Sequence, residues 1–317
     1  MLRLKPALYG FALITVAYLS ALLWLDSTRG VFRDAGALWP VLPLMAGVSL
    51  LSYAFRFARW HWLLRRAGHR VALSYGFLAY LCGFAFTATP GKVGELVRIR
   101  YLQPKGVPPW RTLAAFVFER AFDLVVLVVL TSLALGRSEV FASVTTVIGA
   151  FLLVLAWLAL HPVHLVRVTA WLRRFGWRRL SRLVRMLRDG LTGSVRWFNP
   201  LDVGVSLACG FIAWGLSAMS FAFLLQQLGV TVPLLAAAAI YPLAMLAGAV
   251  SMIPGGLAST EAAIVVLVVA HGAAPATAAL AAVGIRLATL WFAILCGLVA
   301  VIALERARDG ASEAAPG

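Results

Sequence analysis

Charge of one sign is scarce in this chain, which has 12 Asp and Glu among 317 residues against 28 Lys and Arg. Charged residues together make up only 13%, where a soluble domain carries roughly 25%, while 62% are apolar. An ordinary soluble protein is excluded by that balance. Cysteine is equally sparse: Cys82, Cys209 and Cys296 lie far apart, without CxxC spacing, and support neither a disulfide framework nor a zinc site. Catalytic signatures are missing as well. Gly91-Lys92 lacks the spacing of a phosphate-binding P-loop, there is no G-x-S-x-G elbow, and the histidines form no H-E-x-x-H. His161 and His164 stand three apart with no partner to complete a metal set, so no metal and no cofactor is expected.

What the chain does have is apolar runs of a length that crosses about 30 Å of hydrocarbon as helices. They lie at about 7–25, 38–55, 71–89, 113–135, 140–160, 203–228, 233–253, 259–270 and 277–304. The expected fold is therefore all-α: one polytopic membrane domain over 1–310, with a short polar tail at 311–317. Arg3 and Lys5 before Leu8–Leu25 resemble the start of a signal peptide, but the apolar run is too long and lacks a cleavage site, so it reads as an uncleaved first span. Trp39, Trp60, Trp62, Trp110 and Trp197 fall near the ends of runs and read as interface anchors.

Placement of the basic residues decides how the runs are threaded. Were 71–89 a full crossing, Arg98, Arg100, Lys105 and Arg111 would lie opposite Arg56, Arg59, Arg65, Arg66 and Arg70, against the positive-inside bias. A re-entrant hairpin over 71–101 puts both clusters in the cytoplasm. Its tip carries Pro90, Gly91 and Gly94, and a second hairpin over 233–270 carries Pro254, Gly255 and Gly256. Irregular backbone at such depth is tolerated where protein or a watery cavity surrounds it. The result is about six full crossings and two hairpins, with both termini and the basic 161–202 loop cytoplasmic, and Arg29, Arg33 and Arg137 on the other side. The order repeats with opposite orientation, which suggests inverted halves, 1–136 and 137–310. In support, 25 residues separate Glu95 from Arg120 and also Glu261 from Arg286, and Gly106 and Pro109 recur as Gly272 and Pro275.

Within the basic loop, Leu165–Leu191 shows helical spacing with a break near Gly176. It reads either as a recruiter of anionic lipid or as an orientation-setting segment resting on the headgroups. Net charge alone would suggest nucleic acid, but no basic stripe interleaved with aromatics is present, so anionic membrane lipid is the expected partner and nucleic acid is not.

Ionisable groups inside a membrane are costly and usually face a polar interior. Glu119, Arg120 and Asp123 share one helix face, and Arg286 sits in the corresponding helix of the other half. They read either as a charged cavity that holds a phosphate-bearing headgroup or as ion pairs that only tie helices together. Glu95 and Glu261 begin the returning hairpin arms, as backbone caps or as protonatable groups that couple transport to a proton gradient.

Arg59-Trp60 with Leu63-Leu64, Pro90-Gly91-x-x-Gly94-Glu95-x-x-Arg98, Glu119-Arg120-x-x-Asp123, Pro254-Gly255-Gly256-Leu257 with Glu261, and Arg286 together resemble the transmembrane region of the lysylphosphatidylglycerol synthases, also called the flippase-like or UPF0104 family. The resemblance implies a bacterial or archaeal inner-membrane protein whose relatives translocate aminoacylated phospholipid. The expected transport site is Glu95, Arg98, Glu119, Arg120, Asp123, Glu261 and Arg286, with Arg98, Arg120 and Arg286 on the phosphate and the carboxylates positioning them or binding a cationic headgroup. Ala258 stands where the family has a further glycine. The soluble aminoacyl-transferase domain of those relatives has no counterpart before Gly317, so no enzymatic activity is expected. The alternative is a membrane scaffold for a separate lipid-modifying enzyme.

Overall fold

The computed structural model describes Ser20, residues 35–135 and residues 139–313. The first expected span, and Arg29, Arg33 and Arg137, fall outside the described residues. Every regular element among those described is helical, and the chain is an all-α, multi-pass membrane protein.

Five long helical stretches form the frame: α1 (Leu42–Arg66), α4 (Pro109–Leu135), α5 (Glu139–Leu160), α8 (Pro200–Gln227), and α11 (Pro275–Arg286) running through a π-helical turn (Leu287–Trp291) into α12 (Phe292–Glu313). At 1.5 Å per residue, the 22 to 28 residues of α1, α4, α5 and α8 extend about 33–42 Å, enough to cross the bilayer. Three stretches are also apolar enough throughout: Phe141–Leu160, Pro200–Gln227 and Pro275–Arg308. α1 and α4 have the length but carry charge in their middles. Leu153, Val154 and Phe151 on α5 are exposed, as lipid-facing side chains are.

Both hairpins are present. In the first, α2 (Leu73–Leu81) continues as a 3-10 segment (Cys82–Phe86), turns through Pro90–Val97 and returns as α3 (Arg98–Leu102). Its two ends come back together, for Tyr75 Oη donates to the Tyr101 carbonyl at 2.8 Å. Tyr101 and Arg100 then join Glu305 on α12 at 2.6 and 3.1 Å, which gathers the basic ends of these segments at one end of the molecule. In the second hairpin α9 (Leu234–Val250) and α10 (Ser259–Ala270) flank the turn Pro254–Gly256.

The tips meet. A Cβ placed on Gly255 would lie 3.3 Å from both Cα and Cβ of Ala88. Gly94 is required inside the first tip, because a side chain there would collide with the Phe86 carbonyl, while its N–H donates to Thr89 Oγ1 at 2.8 Å.

The amphipathic segment expected over 165–191 is a helical pair, α6 (Val163–Arg174) and α7 (Arg178–Ser194), broken where Gly176 adopts φ +73°. α7 is not merely laid on a surface. Gly190 and Gly193 bring it against Leu113 and Trp110 of α4. Two of the expected interface tryptophans are corrected outright: Trp60 and Trp197 are 0% exposed and belong to the apolar core around the first hairpin. Trp39, by contrast, is 75% exposed.

Candidate functional site

The charged residues of α4 lie where α1, α4 and the first hairpin converge. Helical pitch puts Glu119, Arg120 and Asp123 on one face, and Arg120 Nη2 reaches Glu119 at 3.1 Å and Asp123 at 3.2 Å. The central cation is one that hydropathy placed outside the membrane. Arg59 is wholly buried, and its Nη2 donates to Asp123 at 2.7 Å and to Glu119 at 3.1 Å. Arg56 follows one turn earlier, 3.6 Å from Asp123 and stacked 4.2 Å from the ring centre of Trp214.

Both arginines were expected among the basic residues flanking an apolar run that ends at 55. α1 continues to Arg66 and carries them into the interior instead. A signal for this exists in the sequence: Ser49, Ser52, Arg56 and Arg59 recur at steps of three and four, a polar stripe on one helix face. Tyr80, which donates to Glu119 Oε1 at 2.6 Å, has no comparable signal.

Arg98 is buried beneath this group rather than facing open space. Its guanidinium bonds Glu95 at 3.0 Å and the Tyr80 carbonyl at 3.0 Å, approaches Glu119 at 3.6 Å and lies 4.0 Å over the Tyr80 ring. Glu95 also accepts from Thr87 Oγ1 at 3.0 Å. Across the tips, Arg286 donates to Glu261 at 2.9 Å and to the Gly255 carbonyl at 2.5 Å. Each hairpin carboxylate is thus held by an arginine. The backbone-capping bonds expected of them are not their contacts, and α10 starts without a side-chain cap. The pairing is not symmetric either, since Glu261 bonds Arg286, whereas Glu95 bonds Arg98 and not Arg120.

Directly after Arg286 the helix widens into its π turn, a feature that concentrates at functional sites. There Ser49 donates to the Ala288 carbonyl at 2.7 Å and Tyr53 to the Thr289 carbonyl at 2.8 Å. The polar stripe of α1 therefore reaches both the Glu119 cluster and the π turn after Arg286.

A cavity of about 80 Å³ lies at the meeting point, and its charged lining is Arg56, Lys92, Glu95, Arg120 and Arg286. Glu119, Asp123, Arg98 and Glu261 stand behind this wall. Four buried cations, Arg56, Arg59, Arg98 and Arg286, and two part-buried ones, Lys92 and Arg120, face four carboxylates, Glu95, Glu119, Asp123 and Glu261, a formal excess of two positive charges. In a low dielectric such an excess is stable only with an anion or water to meet it.

The tips are also strained. Among the described residues, those other than glycine with positive φ are Lys92, Met252 and Ala258, all in the two turns. Ala258 has φ +65° and ψ −43°, a conformation a Cβ disfavours. Ala258→Gly relieves strain of about 1–3 kcal/mol while loosening the unfolded chain by about 0.4–1. A net gain of about 1 kcal/mol in thermal unfolding in detergent is expected, and a loss would contradict the strain.

No His, Cys, Asp and Glu group among the described residues is arranged to hold a metal. His161 stacks on Trp157 instead.

The profile of the lysylphosphatidylglycerol synthase transmembrane region matches residues 8–297. Two UPF0104 membrane proteins of Methanothermobacter thermautotrophicus are similar. One is 27% identical over 83% of this chain and 85% of its own length, the other 24% identical over 92% and 91%. No solved structure matches.

Proposed function

This chain belongs to the lysylphosphatidylglycerol synthase transmembrane-region family, and from that premise we propose that it translocates a lipid with a phosphate-bearing headgroup across the cytoplasmic membrane. The observation that carries the reading is the excess of cations around a cavity where two hairpin tips meet. Arginine suits this task, since it stays charged in a low dielectric and binds phosphate through paired N–H donors. Arg120 and Arg286 approach the cavity from the two halves, with Arg56 and Lys92 beside them. Arg59 shares Glu119 and Asp123 with Arg120, and Arg98 holds Glu95 and approaches Glu119, so neither carboxylate of the cluster belongs to Arg120 alone.

At about 80 Å³ the cavity is far below the roughly 300–1,000 Å³ that encloses a whole small molecule. In the form described here the cavity is too small to hold a headgroup, and the tips part to admit one. The two hairpins act as gates of inverted halves, with the basic end of the molecule in the cytoplasm. The chain carries no nucleotide-binding motif, so movement is downhill or ion-coupled.

Reconstitution in liposomes tests this. Fluorescent or lysylated phosphatidylglycerol is expected to exchange leaflets faster than in protein-free vesicles, and Arg286→Ala, checked for intact folding, is expected to lower the rate at least tenfold. Wild-type vesicles indistinguishable from empty ones would favour a scaffold for a separate lipid-modifying enzyme.

A further inference from the structure

Away from the central cavity, a cleft of about 550 Å³ opens between the start of α4 and the end of α7, lined by Trp110, Arg111, Asp189, Thr192, Gly193 and Arg196. Arg111 lies nine residues before Arg120, about 13 Å along the helix axis, at the basic end of the molecule.

Arg111 is only 8% exposed, yet among the described residues it has no ion pair, and its Nε is buried without an acceptor there. It stacks 4.0 Å from the ring centre of Trp110 and 5.8 Å from that of Trp197. Stacking satisfies the faces of a guanidinium, but its N–H donors lie in the plane and are left over. The carboxylate in the cleft does not answer them: Asp189 pairs through Oδ1 with Arg188 at 2.5 Å and makes no ion pair with Arg111. The neighbouring cation adds to the imbalance. Arg196 is close enough to repel Arg111, and its one hydrogen bond goes to the Arg66 carbonyl at 3.0 Å. Burial, together with Arg111 and Arg196, also holds nearby His69 below the usual imidazole range. The cleft is built rather than incidental, for a side chain on Gly193 would press within 3.2 Å of the Trp110 ring that supports Arg111.

A largely buried guanidinium whose Nε lacks an acceptor, beside a second arginine, matches one ligand chemistry, an oxyanion with several acceptor oxygens. We propose that this cleft is a second anion site, which takes a phosphate group between Arg111 and Arg196 and is separate from the central cavity. The phosphate can belong to a lipid headgroup at the membrane surface or to a free phosphate. The proposal does not depend on lipid translocation.

The test uses the full chain in a phosphate-free maltoside detergent, titrated with radiolabelled orthophosphate by equilibrium dialysis and with dioctanoyl phosphatidic acid by native mass spectrometry. Saturable binding is expected to persist in Arg286→Gln, which disables the central cavity, and to weaken at least tenfold in Arg111→Gln, with Arg111→Lys between. Equal affinity for both probes assigns the site to phosphate as such, and at least tenfold tighter binding of the lipid assigns it to a headgroup. Binding unchanged in Arg111→Gln, or no binding to the wild type, overturns the proposal. Should Arg111→Gln fail to fold, Arg196→Gln, at an exposed position, reports on the same site and is expected to weaken both probes.

Discussion

Arg59→Ala is expected to destabilise the protein by about 3–5 kcal/mol, the range for removing one partner from a buried charge pair. Both Arg59 and Glu119 are 0% exposed at the side chain, and Asp123 is 5% exposed. Truncation would leave two carboxylates facing each other in the interior with Arg120 as their nearest full partner. Arg182, exposed on α7 and without an ion pair among the described residues, is the control, and Arg182→Ala should change stability by less than about 0.5 kcal/mol. Arg59→Ala combined with Glu119→Gln and Asp123→Asn should recover part of the loss, because the uncompensated charge is removed with its partner. Thermal unfolding in detergent reads all of these. An Arg59→Ala protein as stable as the wild type would mean that water reaches the cluster and that the interior is not the low-dielectric site described here.

The second large effect concerns the gate. Ala88 and Gly255 approach across the tips to a Cβ separation of 3.3 Å, a few tenths of an ångström inside the roughly 3.5–4.5 Å of a disulfide, so a cross-link needs only a small opening. In a chain whose Cys82, Cys209 and Cys296 are replaced by Ala, Ala88→Cys with Gly255→Cys is expected to abolish lipid movement on oxidation and to regain it on reduction. The reason is volume: a cavity held at about 80 Å³ cannot pass a headgroup. Each single variant serves as the control for strain, since Gly255 has φ +64°. Undiminished movement with complete cross-linking would show that lipid takes another route.

Much of this architecture is legible in the sequence because the membrane leaves few options. Proline and glycine at the end of an apolar run, followed by basic residues that must return to the same side, force a hairpin, and the Tyr75 to Tyr101 bond closes one. The cluster of Glu119, Arg120 and Asp123 follows from helical pitch alone. Other features depend on tertiary packing. Hydropathy averaged over a window ends the first described span at 55, so Arg56 and Arg59 read as flanking charges. Only their phase with Ser49 and Ser52 betrays a buried face. Trp60 and Trp197 sit near run ends like anchors, but their neighbours enclose them. The π turn after Arg286 depends on hydroxyls from α1, more than 230 residues away in the chain, and no local pattern announces it. Arg98 shows the limit of reading charge by position, since a buried arginine can either meet a ligand or hold a carboxylate. Its contacts with Glu95 and Tyr80 assign it the second task.

The central claim is that buried arginines recognise phosphate. The most direct test places two fluorescent lipids with matched acyl chains in the same proteoliposomes, one with a phosphate-bearing headgroup and one a phosphate-free glycolipid, and measures the leaflet exchange of each. The phosphate-bearing lipid is expected to cross at least tenfold faster, and Arg120→Ala is expected to remove that advantage. Equal rates for the two lipids in the wild type would contradict it.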